Sequence, residues 1–418
     1  ADQEEYYLTR GYRRNDRIGR NGLEAQYEDL LRGRKESIQY TTNTNGQVID
    51  SQVIVEGERG KDLILTIDME FQARVDDIVR EELEIAIQKH PYQNRFLEDA
   101  LAVVMDPKTG DILAISGQHY NREEDVFENA PLKTLLDAHR AGSSVKGASV
   151  LAGFQSGVIQ PNQVFYDRPV KISGTEEKGS YMSLGNVNDI EALERSSNVY
   201  MFFIALRMGG EFNYEYNKSV RFNPDAFQEM RNYFGQFGLG VNTGIDFPLE
   251  ETGYKGSEAL PGLLMDQTIG QYDTFTTIQL AQYVSTIAND GMRMKPRLVK
   301  EVREPTPYEE AVGPIYRTYH PEMMNQIQMD MHYIERVQEG FRRVFQGNRG
   351  TARGTFANKP YNPAGKTGTA ENEVFDENGQ LIDTENYTLV GYAPFDDPEI
   401  AFAIVVPNLG KVSNQHPV

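Results

Sequence analysis

The sequence contains no cysteine. That one absence removes thiolate zinc sites, cysteine nucleophiles and disulfides together. There is no apolar run of the roughly 18–20 residues that a membrane-spanning helix needs. The opening Ala1-Asp2-Gln3-Glu4-Glu5 is too polar for a signal peptide. Positive charge is in deficit: 42 Lys and Arg stand against 62 Asp and Glu, a net charge of −20. A surface of that sign repels phosphate backbones, which argues against nucleic acid as a partner. The six histidines lack the spacing of zinc-protease motifs, and there is no internal repeat or low-complexity tract. What remains is 418 residues of ordinary globular composition, too many for one core and suited to a large domain with a small companion.

Residues 1–60 are charged and polar, with a short helical stretch from Leu23 to Leu31 closed by Gly33. They read as a peripheral module with too little apolar surface for a large core. A strand is expected over Asp62–Ile67, then a helix with Phe71, Val75, Ile78, Val79, Leu83 and Ala86 on one face. Leu101–Met105 and Ile112–Ile115 flank the turn sequence Asp106-Pro107-Lys108-Thr109-Gly110, a hairpin signal. Residues 117–141 read as a polar loop. Buried helices are expected over Ser143–Gln155, Val199–Met208 and Thr277–Asn289, and a long amphipathic helical region over Pro321–Gln346. Late strands are expected at Lys366–Ala370, Tyr387–Tyr392 and Ile400–Val406. This order predicts an α+β fold, with helices packed on a central antiparallel sheet.

Three short motifs carry chemistry. Ser143-Ser144-Val145-Lys146 opens a helix of small apolar residues. Positions i and i+3 share a helix face, so the Lys146 amine can reach the Ser143 hydroxyl. Serine is a poor nucleophile at neutral pH, and a lysine of depressed pKa can serve as its base. Taken alone, the motif is more simply an N-capping serine with a surface lysine. Ser196-Ser197-Asn198, just before another buried helix, is by itself only a helix cap. Gly365-Lys366-Thr367-Gly368-Thr369-Ala370 is not a phosphate loop: Pro360 stands where a Walker motif needs glycine, and no helix-forming run follows. On a strand, Thr367 and Thr369 share a face, and Gly368 lets another backbone lie close. A lysine with two hydroxyls suits an anionic carboxylate.

In this order the three motifs resemble the Ser-x-x-Lys, Ser-Asp-Asn and Lys-Thr-Gly set of the penicillin-binding proteins and serine β-lactamases, with Ser197 in place of the aspartate. The resemblance extends to Leu101–Gly117, to Phe237-Gly238-Leu239-Gly240 with Thr243-Gly244-Ile245-Asp246, and to Gly270-Gln271. Residues 16–33 resemble the pedestal of the class B, monofunctional members, and the segments around Ser143 and Ser196 are most similar to the Gram-positive elongation, cell-shape type. The resemblance implies a pedestal remnant over 1–60 and a transpeptidase domain over 61–418. It implies that Ser143, Lys146 and Ser196 are catalytic. It places Asn198, Lys366, Thr367, Gly368 and Thr369 at the substrate, and the N–H groups of Ser143 and Thr369 in the oxyanion hole. No metal or cofactor is implied. The expected ligands are peptidoglycan stem peptides and β-lactams, and the expected partners a membrane glycan polymerase and other cell-wall assembly proteins. The resemblance also implies an upstream membrane anchor on the extracytoplasmic face, and a helix after the last strand where this sequence reaches Asn414–Val418.

Other readings share the motifs. A β-lactamase must deacylate with water and is usually more compact. A D,D-carboxypeptidase differs only in its acceptor. A penicillin sensor or an inactive wall scaffold would keep the motifs without turnover. His139, four residues before Ser143, reads as a solvated loop histidine. Glu250-Glu251, in a turn-rich segment, lacks a partner lysine for base catalysis. The methionines between Met323 and Met331 read as helix packing.

Overall fold

The computed structural model describes residues 2–308 and 311–411. The expected C-terminal helix and the Asn414–Val418 segment fall outside them. The chain divides into two compact units.

The smaller unit joins residues 1–66 to 246–249 and 297–320, so it is wider than the 1–60 read from the sequence. The reason is strand pairing: Asp62–Leu65 pairs antiparallel with Val299–Arg303, which pairs in turn with Ile315–Thr318. Asp246 ties these pieces together. Its carboxylate accepts the Leu298 and Val299 N–H groups (2.6 and 2.9 Å) and the Tyr27 hydroxyl (2.8 Å). Ser37–Thr42 and Val48–Val55 form a separate hairpin. Two short helices, Gly22–Gln26 and Glu28–Leu31, replace the single helical stretch expected there.

The larger unit is built on a six-stranded antiparallel sheet. In chain order its principal elements are α1 (Met69–Lys89), β1 (Asp99–Met105), β2 (Ile112–Asn121), β3 (Val126–Asn129), α2 (Lys146–Gln155), α3 (Asn198–Met208), α4 (Thr277–Ala288), α5 (Met331–Gln346), β4 (Ala364–Phe375), β5 (Leu381–Ala393) and β6 (Ile400–Gly410). The strand order is β4-β5-β6-β1-β2-β3. Asp68 starts α1 by accepting the N–H groups of Glu70 and Phe71. Val79, Leu83 and Ala86 of α1 pack with Ala100, Ala102 and Val406 of the sheet. Phe71 and Ile78, expected on that face, are exposed at its margin. The hairpin β1–β2 holds Val103 opposite Ile115. Among the described residues no helix is long and apolar enough to cross a membrane.

Two expectations require correction. The stretch 117–141 is not one polar loop: β2 runs on to Asn121, β3 follows, and Ala138–His139 pairs with Phe275–Thr276. Residues 321–346 are not one helix. Met323–Gln326 is a strand paired with Met292–Met294, and α5 starts only where Asp330 caps the N–H of His332. Met323 and Met324 are exposed on that strand.

Candidate active site

Ser143 lies in a one-turn 3-10 segment, Gly142–Val145, that feeds directly into α2. Helix α2 is buried from Lys146 to Phe154, as expected for its small apolar residues. Its first turn is clamped. The Gly142 N–H donates to Gly270 O (3.0 Å), and Ser144 Oγ and Thr388 Oγ1 both donate to Ala141 O (2.9 and 2.7 Å). From α4, Tyr283 donates its hydroxyl to Ser144 O (3.0 Å).

Strand β4 lies against this turn backbone to backbone. A Cβ on Gly142, whose φ is +55°, would sit 2.4 Å from Thr369 O. A Cβ on Gly368 would sit 2.3 Å from Ala141 O and 2.8 Å from Ser144 N. Glycine at both positions is what permits the approach. Thr367 is half-buried and Thr369 exposed, whereas Lys366, Gly368 and Ala370 are buried. The alternation of β4 therefore separates the lysine of the third motif from its two hydroxyls, which share the accessible face. Thr351 Oγ1 stands 3.3 Å from Thr367 Oγ1.

The second motif closes the cluster. Ser196 holds a left-handed backbone, φ +55°, where the helix Asp189–Glu194 ends and before Ser197 caps α3 by accepting the Tyr200 N–H (3.0 Å). That conformation costs a non-glycine residue about 1 kcal/mol or more. It presents the Ser196 hydroxyl to two amines: Lys146 Nζ at 3.2 Å and Lys366 Nζ at 3.0 Å. Lys146 Nζ also donates to Ser196 O (2.8 Å) and Asn198 Oδ1 (2.6 Å), and Lys366 Nζ to Thr367 O (3.0 Å). The Ser143 hydroxyl, half-buried, makes no hydrogen bond among the described residues.

Both lysines are fully buried. Burial pushes the Lys146 pKa well below that of an ordinary lysine; the Lys366 charge adds to the depression and Asp167 opposes it. Burial brings Lys366 down to about 7. An uncharged Lys146 has two N–H bonds and a lone pair. Ser196 O and Asn198 Oδ1 can only accept, so they take the two N–H bonds. The Ser196 hydroxyl is then free to donate to the Lys146 lone pair while accepting from Lys366. The arrangement is a short proton path through one hydroxyl, beside a serine whose oxygen is unengaged.

The strained Ser196 gives a sharp test. Ser196→Gly relieves the left-handed backbone and deletes the CH2OH side chain whose hydroxyl bridges the two amines. We expect acylation by a penicillin to slow by about a hundredfold while the melting temperature holds or rises; stopped-flow acylation and thermal unfolding read the two effects separately.

Lys366 predicts a stability effect. Its folded pKa near 7 lies below the unfolded value of about 10.4. Between those values the unfolded chain binds more protons, so this residue's contribution to stability rises with pH across the window and is least favourable below it. Melting curves from pH 6.5 to 9.5 should show the parent gaining on Lys366→Met as pH rises.

Two bystanders are settled. His139 is not a solvated loop residue: it sits in a strand opposite Phe275, its Nε2 is buried without a hydrogen-bond partner, and burial lowers its pKa. Glu250 is spent on a turn, accepting the Thr243 and Gly244 N–H groups and the Thr243 hydroxyl (2.8, 3.1 and 2.7 Å). The sequence reading missed Asp167 and Ser180. Neither stands in a recognisable motif, and both reach the second motif only through folding.

Comparison with known families fits this geometry. Residues 100–416 match the penicillin-binding protein transpeptidase domain, and residues 1–65 the penicillin-binding protein dimerisation domain. The chain therefore belongs to the penicillin-binding proteins, and within them to class B, which joins these two domains. It is 46% identical to penicillin-binding protein 2A of Bacillus subtilis over 96% of this chain and 56% of that protein. It is 33% identical to penicillin-binding protein 2B of Streptococcus pneumoniae over 99% of this chain and 61% of the relative. The solved structure of penicillin-binding protein 2B from Streptococcus pneumoniae strain R6 superposes with a TM-score of 0.88 at 31% identity, covering 99% of this chain and 67% of that one. The chain thus spans somewhat more than half the length of these curated relatives.

Proposed function

We propose that this chain is the catalytic part of a peptidoglycan D,D-transpeptidase that works through an acyl-enzyme on Ser143 and is inhibited by β-lactams. The observation that carries the reading is the convergence of two buried lysine amines on the Ser196 hydroxyl, beside the serine-bearing turn and the backbone of Thr369. Lys146, whose pKa burial lowers well below that of an ordinary lysine, takes the Ser143 proton in its uncharged form as Oγ bonds to the carbonyl carbon of the penultimate D-alanine. The oxyanion is held by the Ser143 and Thr369 N–H groups. Thr367 and Thr369 receive the terminal carboxylate on the accessible face of β4, and Lys366 supplies positive potential from behind. Collapse breaks the peptide bond, and the proton returns through Ser196 to the departing D-alanine nitrogen. The amine of a second stem peptide then attacks the ester, loses its proton along the same path and frees Ser143.

From the family and its Gram-positive relatives we further infer that the protein acts on the outer face of the cell membrane, with a glycan polymerase and other wall-assembly proteins, in side-wall elongation. Incubation with a penicillin tests the chemistry. Intact mass should show one lasting adduct, and peptide mapping should place it on Ser143. Paired stem peptides should yield a cross-linked dimer with release of D-alanine. A folded sample without adduct would sink the reading, and an adduct lost within minutes would replace it with a hydrolase.

A further inference from the structure

The second motif carries serine, not aspartate, at position 197, yet a carboxylate lies against it. Asp167 ends the strand Phe165–Asp167, which pairs with Gly185–Val187. Phe165 of that strand stacks on Phe203 and meets Tyr200 edge-on, so the strand is seated on α3, the helix that Ser197 caps. Asp167 is 1% exposed. Its Oδ2 accepts the hydroxyls of both Ser197 and Ser180, the latter at 2.7 Å. Ser180 Oγ in turn accepts the Asn198 N–H (2.9 Å), and Asn198 Nδ2 donates to Gly179 O (3.1 Å). These bonds turn Asn198 Oδ1 toward Lys146 Nζ, 2.6 Å away.

Among the described residues no cation lies within ion-pair reach of Asp167. A buried carboxylate held only by hydroxyls is expensive and needs a compensating reason. Resting on the acyl-enzyme reading of Ser143, we propose that Asp167 is the positioning carboxylate of the Ser196-Ser197-Asn198 turn, filling in space the role of the aspartate absent from position 197. It anchors the turn through two hydroxyls and thereby aims Ser196 and Asn198 at the general base. Its negative charge also acts on Lys146 against that of Lys366. These are the two charged groups whose fields bear on Lys146, one from the strand beneath the turn and one from the sheet edge.

Charge and scaffolding separate experimentally. The probe is a fluorescent penicillin, and the readout is the second-order acylation rate across pH 5–9 for the parent, Asp167→Asn, and Asp167→Asn combined with Ser197→Asp. Asp167→Asn should acylate about tenfold or more slowly. The limb of its profile that rises as the base loses its proton should move to lower pH, because the charge that raised the Lys146 pKa is gone. The combined variant, with the carboxylate at position 197, should recover rate and limb together. An unchanged rate, or a slower rate with no displaced limb and no recovery, would overturn the proposal. Should Asp167→Asn not fold, Ser180→Ala with Ser197→Ala keeps the carboxylate and cuts both bridges, and parent-like acylation there would overturn it equally. A parent that never acylates refutes the Ser143 reading instead, so the two failures are distinguishable.

Discussion

Ser143→Ala is expected to form no penicillin adduct while keeping the parent's fold and melting temperature. The Ser143 hydroxyl has no hydrogen-bond partner among the described residues, so its removal strands no buried donor or acceptor, and the loss of one half-buried oxygen should stay within about 0.5 kcal/mol. The first turn keeps its other ties, from Gly142 N–H to Gly270 O and from Tyr283 to Ser144 O. Non-covalent affinity for the drug should therefore survive, detectable by competition or calorimetry, whereas intact mass should read the bare chain at every time point. An adduct on this variant would place the nucleophile elsewhere.

Lys146→Met is expected to slow acylation by about a thousandfold or more, the range for removing a general base. Unlike the serine change, it should also cost stability. Ser196 O and Asn198 Oδ1 each lose a donor in a partly buried place, at up to about 1–3 kcal/mol per orphaned group. Part of that is offset because methionine fills the volume and removes the cost of burying an amine. Lys146→Arg should not rescue the rate, since a guanidinium stays protonated at any working pH. Rates measured by fluorescent penicillin, with unfolding curves beside them, would show whether activity falls far more than stability explains. A loss of less than tenfold would mean that another group takes the Ser143 proton.

Much of this was legible in the sequence because it is local. The i, i+3 spacing of Ser143 and Lys146, the small-residue run behind them and the apolar runs on either side of the Asp106–Gly110 turn each state their structure within a dozen residues. What was not legible depends on distant pairing. Nothing in residues 321–330 announces that Met323–Gln326 will pair with Met292–Met294, and the apolar period continues across the junction, so one helix was expected where a strand and a helix stand. His139 looks like a loop residue until Phe275 comes opposite. In the site, the positive φ of Ser196 follows from helix ends that meet only after folding. Asp167 lies in a plain Tyr-Asp-Arg-Pro stretch, and its partners are 13 and 30 residues away. The division of labour on β4 was half legible: alternation placed the two threonines together, but it also turned Lys366 the other way, toward Ser196.

The strand order has a consequence for biosynthesis. Strand β6 sits between β5 and β1, with Val405 opposite Leu101 and Ala401 opposite Met105. The first hairpin thus acquires its inner neighbour only after roughly 300 more residues have been made, a wait of about 15–60 s at ordinary elongation rates. Through that interval β1 presents an unpaired, almost wholly apolar edge, the kind that joins other nascent chains. Closure then requires pairing between distant parts of the chain, which is slow by its topology. The sheet that clamps the Ser143 turn is therefore completed late, and a chain shortened before residue 400 lacks the strand that joins the first hairpin to the edge bearing Lys366.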